Sequence, residues 1–205
     1  MTRIAGSLIV AGFLTASSAV AADTPLSSKA SEFVKDASQI NLTEISMAQL
    51  AEQKSQNPEV KNLAQMIQRD HQQAQDKLQT LAQAHGITLD QNLSSSHRRA
   101  QEKLAKLNGA DFDQQYTKDM MEGHVAAIKK FQKASQQIED ADVKQYAQNC
   151  LPTLETHLNH SEVAARASGV DQATITSITK SLPPAVGGTG ENQENGKGMG
   201  KSGQY

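Results

Sequence analysis

Along most of this chain apolar residues recur in alternating three- and four-residue steps, the spacing that turns one stripe of a helix toward a common interior. From Ser27 to about Ser55 the pattern runs without Pro or Gly, and Asn57-Pro58 then breaks it. Pro58 suits the first turn of a second helix, which the stripe carries to His85, with Gly86 as a left-handed cap. Residues 87–110 hold a Leu-Asp-Gln-Asn turn and a shorter helical piece from about Ser96 to Leu107, closed by Asn108-Gly109. A third long helix is predicted from about Asp111 to Ile138. After the acidic connection Glu139-Asp140-Ala141-Asp142, a fourth runs to about Ser168 and stops at Gly169. Two hairpins of long helices make an all-α four-helix bundle over residues 27–169. The connection between the hairpins either crosses the length of the bundle, the ferritin-like arrangement, or stays at one end.

The ends of the chain read differently. Residues 1–22, MTRIAGSLIVAGFLTASSAVAA, have a basic start at Arg3, an apolar middle and the small-x-small Ala19-Val20-Ala21, the three parts of a secretory signal peptide. Its most apolar part, Leu8 to Leu14, is far short of the ~20 residues a membrane span needs. No Cys stands directly after the expected cleavage point, and nothing later is apolar enough to cross a bilayer. The expectation is export to the periplasm or the outside, with outer-membrane association open and no transmembrane segment once the signal is removed. Residues 170–205 are expected to form a polar tail, with at most one helical turn before Pro183-Pro184. It ends in GGTGENQENGKGMGKSGQY, which cannot bury enough apolar surface to fold.

Composition narrows the chemistry. With 20 Lys+Arg against 22 Asp+Glu, the formal charge is −2, and a basic surface for nucleic acid is not expected. One Cys, Cys150, excludes an internal disulfide framework and any zinc knuckle. No phosphate loop, cofactor fingerprint or nucleophile–base arrangement appears.

The informative positions are polar residues inside the stripes. The first helix gives Phe33, Ala37, Ile40, Glu44, Met47 and Ala51, and the second gives Val60, Ala64, Ile67, His71, Ala74 and Leu78. The third gives Tyr116, Met120, His124, Ala127 and Phe131, and the fourth Val143, Ala147, Cys150, Leu154, His157 and Ser161. Each helix carries one ionisable residue near its middle: Glu44, His71, His124 and His157. Glu44 and His71 lie equally far from the Asn57-Pro58 turn, at roughly 20 Å, and His124 and His157 lie roughly 25 Å from theirs. Both pairs therefore fall near mid-bundle in either topology. Buried without partners, such groups cost several kcal/mol, so they satisfy one another or hold an ion. Three imidazoles and a carboxylate suit one divalent transition metal: zinc, copper, iron or manganese.

Other residues sit near this layer. Asp70 adjoins His71 and could orient it. His160 lies one turn after His157, and Tyr116 two turns before His124. Glu122 and Glu155 point to the far sides of their helices. Met47, Met120 and Cys150 read as core more than as sulfur ligands. Pro152 removes a helical hydrogen bond just before His157 and is expected to kink the fourth helix.

The segments Asn57-Pro58-Glu59-Val60-Lys61, Arg69-Asp70-His71, Phe112-Asp113-Gln114-Gln115-Tyr116 and Leu151-Pro152-Thr153-Leu154-Glu155-Thr156-His157, together with His124, resemble the domain of unknown function 4142 family. The resemblance covers about residues 28–168. It implies a ferritin-like bundle in a secreted bacterial protein, and it transfers no reaction. The family's positions are matched by Asp70, His71, Phe112, Asp113, Tyr116 and His157. Ferritin-like di-iron enzymes carry Glu-x-x-His pairs, and none occurs here, so a single His-rich site is expected in place of a bridged di-iron centre. Three function classes follow. The first is metal handling or envelope stress tolerance through the mid-bundle site. The second is a metal-free interaction bundle, and the third a redox-active metalloenzyme.

Overall fold

A computed structural model of the protein describes residues 25–182. The expected signal peptide and the Gly-rich 187–205 stretch lie outside the described residues. Six helices occupy the described chain: α1 Ser28–Lys54, α2 Pro58–Ala84, α3 Ser95–Ala105, α4 Gly109–Gln137, α5 Ala141–Ala167 and α6 Gln172–Thr179. Among the described residues there is no strand, and no helix is long and apolar enough to cross a membrane.

Local chemistry sets the boundaries. Ser27, Asn57, Ser94, Asp140 and Asp171 each accept a backbone N–H of the first turn with a side-chain oxygen, and Pro58 opens α2 where its missing N–H costs nothing. At the far ends Gly86 and Gly169 take positive φ, 65° and 86°. Each is followed by a bond that reaches back to the last helical turn, Ile87 N–H to Ala82 C=O at 2.8 Å and Val170 N–H to Ala165 C=O at 2.9 Å. Pro152 lies inside α5, which continues through it to Ala167.

The link between hairpins crosses the bundle lengthwise. Gln39, near the middle of α1, holds Asn92 and Ser94 just before α3, through bonds of 3.0 and 2.8 Å. Gln101 of α3 bonds Ser46, and Lys54, the last residue of α1, donates to the Ala105 carbonyl at 2.6 Å. The chain therefore climbs along α1, and α4 starts beside the end of α1. α4 runs antiparallel to α1 (Lys130 pairs with Asp36, Lys54 lies over the Phe112 ring), and α5 runs antiparallel to α2. This is the ferritin-like connection, one of the two that the sequence allowed.

The interior is divided. One apolar cluster gathers Phe33, Leu78, Ile128, Phe131, Val143 and Leu158, and the other Val60, Leu63, Ile67, Leu104, Phe112 and Met120. Each such side chain removed from water contributes roughly 1.5–3 kcal/mol. Between the clusters lies a buried polar layer that includes Asn41, Glu44, His71, His124 and His157.

Residues 170–182 depart from the expected tail. They form two helical turns that bury Val170 and Ile175, with Ile178 and Leu182 packed at the edge of the core. Spaced apolar residues and the Asp171 cap supply what the polar composition concealed.

Candidate metal centre

His71, His124 and His157 come from the middles of α2, α4 and α5 and meet in the polar layer, each 3% exposed or less. Their ring centroids stand 5.2 to 5.7 Å apart. One ring nitrogen from each lies within 4.8 Å of the other two.

Neighbouring groups decide which nitrogen carries the proton. The Met120 carbonyl, one turn back on α4, accepts from His124 Nδ1 at 2.8 Å, which leaves Nε2 as a lone pair. Asn41 uses its amide nitrogen toward Gln75 Oε1 and Tyr146 Oη, so its oxygen accepts from His71 Nδ1 at 3.0 Å, and His71 Nε2 is the free lone pair. Asp70 Oδ2 accepts from His157 Nε2 at 3.1 Å, which leaves His157 Nδ1 unprotonated in the neutral ring. Each of the three rings in this close group therefore keeps one unprotonated nitrogen. His71 Nε2 has no protein partner, and His124 Nε2 and His157 Nδ1 stand 3.2 Å apart.

Electrostatics keep the rings neutral. Burial, then the neighbouring imidazoles, hold His71 well below the ordinary histidine range. Burial pushes His124 down to about 3, against the opposing bond to Met120. His157 is also lowered by burial, although Asp70 pulls the other way. Burial would raise Asp70, but hydrogen bonds from Arg69 and His157 outweigh it and keep the carboxylate ionised. Neutral imidazoles with fixed tautomers are what a transition-metal ion requires.

The centre has one flank open to a cleft. Between α2 and α5 a cavity of about 210 Å³ is lined by His71, His157, Asp70, Asn41, Tyr146 and Cys150 among others. Cys150 is half-buried there, its thiol pushed up by burial, and it is not a member of the converging group.

The other residues named from sequence stand as follows. Glu44 is buried but lies outside the converging set. It faces α4 on the α3 side, where Gly123 leaves space for it: a Cβ at 123 would sit 3.0 Å from Glu44 Oε1. Equal height did not bring it to the imidazoles, because height fixes depth and not the side of the helix. Asp70 reaches His157 and not its sequence neighbour His71. Asp113 and Tyr116 are buried with an unpartnered oxygen each, His160 is exposed, and none of the three has a hydrogen bond to a converging imidazole. Sequence reasoning missed Asn41 and Gln75. Gln75 lies one turn beyond His71, and Val34, Ser38, Asn41 and Glu44 form a stripe of their own at helical spacing, so a signal was present.

Two solved structures share this fold. A DUF305 fragment from Deinococcus radiodurans superposes with a TM-score of 0.62 at 18% identity, covering 70% of this chain and 99% of its own. CopM in the Cu(I)-bound form gives a TM-score of 0.56 at 18% identity, covering 67% and 95%. No curated protein sequence matches the chain significantly. The family model for the domain of unknown function DUF4142 matches residues 15–163, and the chain belongs to that family.

Proposed function

We propose that this is an exported helical-bundle protein that binds one transition-metal ion through His71 Nε2, His124 Nε2 and His157 Nδ1, and that it serves metal handling in the cell envelope. The observation that carries the reading is the tautomer pattern. Three independent partners, a backbone carbonyl, an amide and a carboxylate, each take the outward proton and turn a lone pair inward. An apolar interior has no use for three converging lone pairs unless something electron-poor sits among them.

The 3.2 Å spacing of His124 Nε2 and His157 Nδ1 is close to the ~3.3 Å that two nitrogens ~2.0 Å from one ion adopt at a tetrahedral angle. A donor set of imidazoles favours copper or zinc over manganese, which prefers carboxylate oxygen. The copper carried by CopM is in keeping with this choice. The α2–α5 cleft supplies a path for the ion and room for a fourth, exogenous ligand. Export is supported by the three-part pattern of residues 1–22.

A second reading has one observation in its favour. The same 3.2 Å also suits an N–H···N bond from a doubly protonated His157, with the layer free of metal and fixing register only. Titration of metal-stripped protein with zinc and with copper under reducing conditions separates the two. One equivalent bound and lost in His71→Ala supports the metal site. An unchanged melting temperature with no bound metal supports the second reading.

A further inference from the structure

Glu44 has a surrounding that the imidazole site does not use. Glu44 is 6% exposed, and its Oε2 is buried with no hydrogen-bond partner. It lines a cavity of about 670 Å³ between α1, α3 and α4, whose walls include Ile40, Met47, Leu104 and Met120. Asp119, Glu122 and Lys130 line the same space from α4, and His97 and Lys103 from α3; Lys130 is paired with Asp36 of α1. On α4 Gly123 leaves room beside the carboxylate: a Cβ there would stand 3.0 Å from Glu44 Oε1, close enough that the carboxylate would have to shift by a few tenths of an ångström.

We propose that this space is a binding site for a small organic cation, a primary ammonium on a compact apolar body, with its charge seated against Glu44 and Asp119. Volume and lining select this class. The cavity is far larger than an ion needs, and mostly apolar walls around a few polar groups are how small-molecule sites are made. A metal ion is disfavoured by donor count. Among the described residues the only group of three or more His, Cys, Asp or Glu with ligand atoms within 4.8 Å is the histidine set, so Glu44 and Asp119 lack a third partner. An ammonium brings Glu44 an N–H donor and a compensating charge, while the alkyl body displaces water from the walls. Burial and the nearby Asp119 push Glu44 up to about 8, so seating a cation at neutral pH is accompanied by proton release.

The test is calorimetric titration of the full chain at pH 7.5 with n-hexylammonium chloride and, separately, with the neutral isostere n-hexanol. The expected result is one equivalent of ammonium bound at least tenfold more tightly than the alcohol, with the difference abolished in Glu44→Gln. Circular dichroism reports whether that variant folds. If it does not, Ala100→Trp decides, because it fills the cavity from an exposed lining position on α3 and is expected to abolish ammonium binding. Ammonium that binds no better than alcohol, or that binds either variant as it binds the parent, overturns the proposal. So does a zinc equivalent that survives His71→Ala and disappears in Glu44→Gln.

Discussion

Asp70 on α2 accepts the Nε2 proton of His157 on α5 at 3.1 Å, so the carboxylate next to His71 in sequence orients a different imidazole across the bundle. That bond turns His157 Nδ1 inward. Partners of this kind are worth 10–100-fold in metal affinity. Asp70→Ala is therefore expected to weaken zinc or copper binding by about that factor, and Asp70→Asn, which keeps an acceptor oxygen, by less. Competition with a chromophoric chelator measures both. Equal affinity in all three proteins would remove Asp70 from the account.

His71 Nε2 is buried in the layer without a hydrogen-bond partner. A buried polar layer can often be replaced by apolar residues of similar volume at little cost. His71→Leu is expected to change the stability of metal-free protein by less than ~1.5 kcal/mol while abolishing metal binding. Thermal melts with and without one equivalent of zinc read both effects. Collapse of the metal-free fold would show that the imidazole is structural.

Two buried groups give stability opposite dependences on pH. Glu44 titrates near 8 in the folded protein against an ordinary 4.5, so the native state holds the extra proton between those values. Its contribution is present below 4.5 and is lost as pH rises through 8, on the order of 4 kcal/mol for a shift of this size. Glu44→Gln should therefore gain stability relative to the parent as pH rises from 5 to 8, with little difference at pH 4. His124 works the other way. It titrates near 3 against an ordinary 6.5, so stability is full above 6.5 and falls as pH drops toward 3, and His124→Leu should flatten that acid limb. Urea unfolding at a series of pH values checks both slopes.

Cys150 lines the cleft beside His71 and His157 without joining the converging nitrogens. Cys150→Ser is expected to leave metal affinity within about threefold, because the donor set is unchanged. A loss of 100-fold under reducing conditions would bring the thiol into the coordination sphere.

Much of the fold could be read from the chain because periodicity, caps and breakers agreed. The Asn57-Pro58 turn, the acidic 139–142 connection and the Gly86 and Gly169 stops stand within a residue or two of their expected places. Depth along the bundle was also legible, since helical rise converts sequence distance from a turn into height. What it could not supply is azimuth. Glu44, His71, His124 and His157 share a layer, yet Glu44 faces α3 and α4 while the imidazoles face one another. The crossover path, which rests on side-chain bonds from Gln39 and Lys54 to the distant segment 92–105, and the docking of α6 were likewise beyond local pattern.

X-ray absorption on protein loaded with one equivalent of zinc or copper addresses the central claim most directly. The expected spectrum shows three imidazole nitrogens around a single bound ion, and the signal disappears in the His124→Ala protein. A spectrum with fewer than two imidazoles, or one that persists when His124 is removed, would contradict it.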